Sequence, residues 1–175
     1  LAQGGANGGN GGKVETSGHE LLIGDSMHVD TTATRGKTGE WLLDPVDFTV
    51  SAGTGGQTIS GIGATTLSNN LNSSSVTITT DASTGGSGDI NVNSAVTKTA
   101  AGTTTLTLKA HRRVNVNSGI SSSGGALNVV LWSDYDNTND GGVAINANIS
   151  TAGGHLWAGG SWGGSGSTTW NELVG

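Results

Sequence analysis

The feature that most constrains this chain is a phrase that it writes twice. Residues 88–96 read GDINVNSAV and residues 112–120 read RRVNVNSGI, with Val114 placed 24 residues after Ile90. In the first copy Ile90 and Val92 alternate with Asn91 and Asn93. In the second, Val114 and Val116 flank Asn115. Alternation with period two marks a strand that buries one face. GVAINANI repeats the pattern a third time with Val143, Ile145 and Ile149. A second phrase interleaves with the first: SSVTITT (Val76, Ile78), TTTLTLKA (Leu106, Leu108), ALNVVLWS (Leu127, Val129, Leu131) and GGHLWAGG (Leu156). Each is short and bounded by Gly, Ser or Asn, the residues of turns.

Repeats of this length mean stacked coils, because one repeat alone cannot bury its apolar face. The expected fold is all-β, a right-handed parallel β-helix in which equivalent strands lie above one another. At about 25 residues per coil the chain should make roughly seven coils. Only residues 64–72, ATTLSNNLN, depart from strand patterning, and Leu67 and Leu71 at i, i+4 predict a short helix there. The chain therefore divides into opening coils over 1–50, a connecting stretch over 51–75 that holds the helix, and regular coils over 76–175, all in one shaft. The spacing between the later repeats grows at DYDNTND, residues 134–140. That stretch reads as an insertion that should project from the rod.

Composition narrows the function. The chain has 32 Gly, one Pro, no Cys, 11% charged residues and a net charge of −6. Seven Lys and Arg against thirteen Asp and Glu argue against nucleic acid, whose binding needs a basic face. Abundant Val, Ile and Thr suit strands rather than a disordered chain. No apolar run approaches the 18 residues of a membrane-crossing helix. With no disulfides, stability must come from the long stacked core. The opening LAQGGANGG reads like the interior of a longer protein, so a fragment is expected.

The chemistry-bearing residues are sparse. Gly159-Gly160-Ser161-Trp162-Gly163 matches G-x-S-x-G, but a nucleophile elbow needs a helix after the Ser, and no helical pattern follows. His19, His28, His111 and His155 form no close pair, and zinc sites need clustered ligands, so they read as turn or surface residues. Asp134, Asp136 and Asp140 are the one faint metal pattern, at calcium-loop-like spacing. Ile145 stands where a bidentate Glu would be needed. A solvated loop is expected, with weak calcium binding as the alternative and no resident cofactor. Trp132 and Trp157, outward beside Leu131 and Leu156, would stack on a sugar or cover a coil junction, with stacking for stability favoured. Thr77/Thr79 and Thr105/Thr107 give way to Asn128 and Val130, so no Thr array runs through every coil. KTG at residues 37–39 reads as a turn, and Asn72 and Asn148 sit in glycosylation sequons.

The N-terminal third carries a more specific pattern. GKVETSG at residues 12–18 is followed by WLLDP at residues 41–45 and then by the strand-like VDFTV. This arrangement resembles the large exoproteins of the filamentous haemagglutinin type, exported by bacterial two-partner secretion systems. The later stretches TLSNNLNSSSVTITT and GGALNVVLWSD look like the same family, so the resemblance covers essentially the whole chain. It implies a β-helical shaft of an adhesin, secreted and held at the surface of a Gram-negative cell. It further implies an outer-membrane transporter as a partner during export and a host or neighbouring cell as a partner through regions beyond this stretch. The shaft of a contact-dependent growth-inhibition toxin is the alternative. A third possibility, a β-helical polysaccharide-degrading enzyme, needs grouped acids and a nearby base, which the scattered Lys and Arg do not offer.

Overall fold

A computed structural model describes residues 1–81, 85–138 and 141–160. Every strand pair among the named elements is parallel, so the chain is a parallel β-solenoid. Its longest face stacks β1 (Lys13–Ser17), β2 (Glu40–Asp44), β5 (Ser75–Thr79), β8 (Thr104–Lys109), β11 (Leu127–Ser133) and β14 (Leu156–Gly160), in that order. A second face runs β4 (Gly61–Gly63), β3 (Phe48–Ser51), β6 (Ile90–Val92), β9 (Arg113–Val116) and β12 (Gly142–Ile145). The third face holds β7 (Val96–Lys98), β10 (Ile120–Ser122) and β13 (Ile149–Ser150).

Alternating apolar residues build the core as columns. Trp41 lies under Val76, Leu106, Val129 and Leu156 in register, and Leu43 lies under Ile78, Leu108 and Leu131. On the second face Phe48, Ile90, Val114 and Val143 are aligned. On the third, Val96, Ile120 and Ile149 are aligned. Most of these side chains are fully buried, and they form one continuous cluster. Outside, like stacks on like: the Asn115 amide donates to Asn91 at 2.9 Å, Asn146 to Asn117 at 2.9 Å and Asn117 to Asn93 at 2.9 Å. Each such bond satisfies polar groups between successive turns without using the core.

The stack has six strands on its longest face, hence about five turns, and not the seven that a uniform period of 25 gives. The turns are unequal, and the second is the longest. Glu40 pairs with Ser75 across 35 residues, and Lys13 with Glu40 across 27, while Leu127 follows Thr104 by 23. The extra chain makes β4, which tucks beneath β3, and the helix α1 (Ala64–Leu71). The helix sits where expected, with Leu67 and Leu71 fully buried. It occupies the position below β7: the Thr97 N–H donates to the Ser68 hydroxyl, and the Asn72 side chain accepts from the Thr99 and Ala100 N–H groups. Five steps at about 4.8 Å give a rod about 24 Å long.

Another correction concerns the repeated phrase itself. DINVNSAV is two strands, β6 and β7, on different faces, with a turn between them, and its second copy divides the same way into β9 and β10.

Candidate functional site

The densest grouping of aromatic and titratable side chains among the described residues lies outside the six-stranded face, at its edge toward the second face. Outward positions there align as Thr79, Lys109 and Trp132 in neighbouring strands, with Gly159 next to Trp132. Just beyond β11 the chain turns at Asp134, whose φ of 47° is left-handed. This bend directs Tyr135 back over the sheet. Lys109 Nζ lies 4.3 Å from the Tyr135 ring centre and 5.1 Å from that of Trp132. Trp132 meets Tyr135 edge-on at 6.4 Å and Trp157 edge-on at 6.1 Å. His111 closes the group, 6.5 Å from Tyr135, with its Nδ1 2.8 Å from an Asp136 carboxylate oxygen.

Residues 134–138 therefore do not simply project. Asp134 is buried and its carboxylate accepts from the Thr138 N–H at 3.2 Å, while Asp136 accepts from the Thr138 hydroxyl at 2.8 Å. Arg112 O receives the Asp134 N–H at 3.1 Å. The described part of the insertion is folded down by a cation held against two rings, by the contact of His111 Nδ1 with the Asp136 carboxylate and by backbone bonds. His111 in turn packs on Gly88, where a Cβ would stand 2.6 Å from the His111 Cβ; its φ of +73° also favours glycine.

Charge around Lys109 is acidic. Burial, with Asp136, Asp81 and Asp44 nearby, raises the Tyr135 hydroxyl above its usual range. Burial, then Asp81 and Glu15, raises the Asp44 carboxyl, against the opposing pull of Lys109. Lys109 thus balances carboxylates while covering the rings, and with Lys109 over them the faces of Tyr135 and Trp132 are not a bare platform for a sugar. Trp157 is buried, although it points outward from the sheet. The Trp pair covers a junction between turns. Its strands are offset: Val129 pairs with Leu156, so Trp132 stands over Gly159 and Trp157 over Val130.

Along the same edge, neighbouring turns are stitched by carboxylates. Asp47 accepts from the Ser87 and Asp89 N–H groups at 2.8–3.1 Å. Asp89 takes both arms of Arg112, at 2.8 and 2.6 Å, as well as the Arg113 N–H. Sequence reasoning missed this series, because Asp47, Asp89 and Arg112 belong to three turns and no spacing rule links them. It also missed Lys98, fully buried, whose ammonium donates to the carbonyls of Ala100 and Gly102 and whose pKa is lowered by burial.

Of the other candidates, Asp134 and Asp136 belong to the loop just described, and Asp140 lies outside the described residues. No group of three or more His, Cys, Asp or Glu among the described residues is arranged to hold a metal ion. Gly159 and Gly160 end β14, while Ser161, Trp162 and Gly163 of the G-x-S-x-G match lie outside the described residues. His19 and His28 are exposed, and the His155 backbone N–H donates to the Asn128 side chain. The two motifs that carry the exoprotein resemblance stack directly, Val14 on Trp41 and Ser17 on Asp44. No protein-family model matches the chain, and no curated protein matches it.

Proposed function

We propose that this chain is a shaft segment of a secreted, surface-attached adhesin of the filamentous haemagglutinin type, and that its work is length and rigidity. One observation carries this. Among the described residues the large apolar side chains left exposed are only Leu1, Leu22, Met27, Ile59 and Ile145, in the first turn, the loop beside β4 and the last described turn. The flanks between are polar ladders. A parallel stack with a continuous apolar core, Asn ladders on one edge and few exposed apolar side chains suits a rigid spacer. The winding is right-handed, as parallel crossovers nearly always are. In this reading the aromatic edge and the Asp47–Asp89–Arg112 series are braces, and recognition of a cell surface belongs to other parts of the parent protein.

The test removes one whole turn. Ile90 and Val114 occupy the same place in successive turns, so deleting residues 90–113 from the surface-displayed parent should leave export, folding and adhesion intact and shorten the shaft. Deleting residues 90–101, half a turn, should abolish folding. Adhesion lost through substitutions of Thr77, Thr107 or Lys109, with display unchanged, would overturn the spacer role.

A further inference from the structure

The chain carries two Asn-Gly pairs in its described residues, three residues apart, Asn7-Gly8 and Asn10-Gly11. Asn-Gly is the sequence most open to self-modification, because a glycine N–H without a neighbouring Cβ can reach the Asn side chain. Both Asn side chains are exposed, but the fold holds the two pairs differently. Asn7 is exposed, at the tip of a turn closed by a single Gly8 N–H to Gly5 carbonyl bond of 3.1 Å. A Cβ placed on Gly8 would meet nothing within 4 Å, and the φ angles of Gly8 and Gly9 are +136° and +108°. Asn10 is held. Its side-chain oxygen accepts from the Lys37 N–H at 2.9 Å, and the Gly11 N–H donates to the Lys37 carbonyl at 2.9 Å. Gly11 is walled by backbone, with Thr31 O 1.8 Å from where its Cβ would be.

We infer that Asn7-Gly8 is a site of spontaneous deamidation and that Asn10-Gly11 is protected by the fold. The deprotonated Gly8 nitrogen attacks Asn7 Cγ, the Cγ–Nδ2 bond breaks, and ammonia leaves. The resulting five-membered succinimide is opened by one water at either carbonyl, giving Asp or isoaspartate. The sum is amide plus water to carboxylic acid plus ammonia. At Asn7 the attack breaks one hydrogen bond and finds open space. At Asn10 it breaks two and must pull Gly11 out of backbone contact. The modification adds a negative charge to the strap that covers the first turn through the Ala2 to Asp30 and Gly4 to Thr32 backbone bonds. Where isoaspartate forms, it also adds one backbone carbon.

The test is peptide mapping by mass spectrometry after incubation of the intact chain in mildly alkaline buffer, with isoaspartate assayed in parallel. Asn7 should convert more than about tenfold faster than Asn10, and Asn7→Gln should remove the fast product. In urea strong enough to unfold the chain the two sites should convert at similar rates, which shows that the fold protects Asn10. Equal rates in the native protein, or a slower Asn7, would overturn the assignment.

Discussion

Two edges of the rod join its faces in different ways. Along the edge between the second and third faces, each turn sets the same residue over the last, Asn93 under Asn117 under Asn146. Along the edge beside β11, every turn contributes something different: Asp44, Thr79, Lys109, then Trp132 with Tyr135 folded over it. The first edge is built by repetition, and its bonds follow from the period alone. The second is built by insertion, and its contacts depend on where one loop happens to return. A solenoid gains its uniform core from the first kind of edge and its local character from the second.

The largest effect expected separates the core behind the repeating edge from its surface. Val116 is fully buried beneath the ladder. In Val116→Asp an uncompensated charge enters an apolar column, at a cost of several kcal/mol, a large share of a typical domain stability of about 5–15 kcal/mol. Asn117→Ala, one residue along, loses two exposed hydrogen bonds and should cost about 1 kcal/mol. Urea unfolding followed by circular dichroism compares them. Similar losses in both variants would mean that the faces of β9 are wrongly assigned.

The repeating edge was also the part legible in the sequence, and parity explains how far. Ile90, Val92 and Val96 are all even positions, as are Val114, Val116 and Ile120. One straight strand and two strands joined by a turn therefore leave the same alternation, and the break at Asn93 left no trace in it. Parity likewise placed Trp132 and Trp157 on the outer surface but could not choose between pairing Leu156 with Leu131 or with Val129, since a slip of two residues keeps every side chain on its face. The number of turns falls below seven because the steps run from 23 to 35 residues, β4 and α1 filling the longest, and because twelve residues precede β1; a helix inside a coil has no period in common with the strands. The insertion was legible as extra chain. Its return over the sheet was not, because Lys109, His111 and Tyr135 come from separate turns and only the fold brings them together.

The next effect probes the inserted edge. Replacing residues 135–140 by two glycines removes Tyr135 and Asp136, and with them one cation–ring contact, two ring-edge contacts and the pairing of His111. The backbone should still close, because the preceding turn crosses from Leu108 to Val114 without the insertion and longer loops cost little. The loss should be about 2 kcal/mol, seen as a lower melting temperature with an unchanged β-type spectrum. Calcium should not raise the melting temperature of either protein. A calcium-dependent rise in the wild type that the deletion abolishes would restore Asp134, Asp136 and Asp140 as a metal site. No thermal cost at all would mean that the ring contacts contribute nothing.

The smallest effect is a titration. Tyr135 has a hydroxyl pKa raised above its ordinary 10.0 by burial and by the carboxylates of Asp136, Asp81 and Asp44. Between 10.0 and the raised value the folded chain keeps a proton that the unfolded chain has released. Stability from this group is therefore fully present below pH 10 and is lost as pH rises through the folded value. Lys98 acts in the opposite direction. Burial lowers its pKa below 10.5, so between the lowered value and 10.5 the unfolded chain binds more protons, and stability rises with pH. A bare alkaline unfolding curve sums the two and need not slope at all. Tyr135→Phe keeps the ring over Lys109 and removes only the titrating hydroxyl, so the difference between wild type and variant isolates Tyr135. That difference should be flat below pH 10 and then turn against the wild type as pH climbs. A difference that favours the wild type as pH rises would show that ionised Tyr135 is stabilised by Lys109 more strongly than the three carboxylates oppose it, which would reverse the electrostatic sign of this edge.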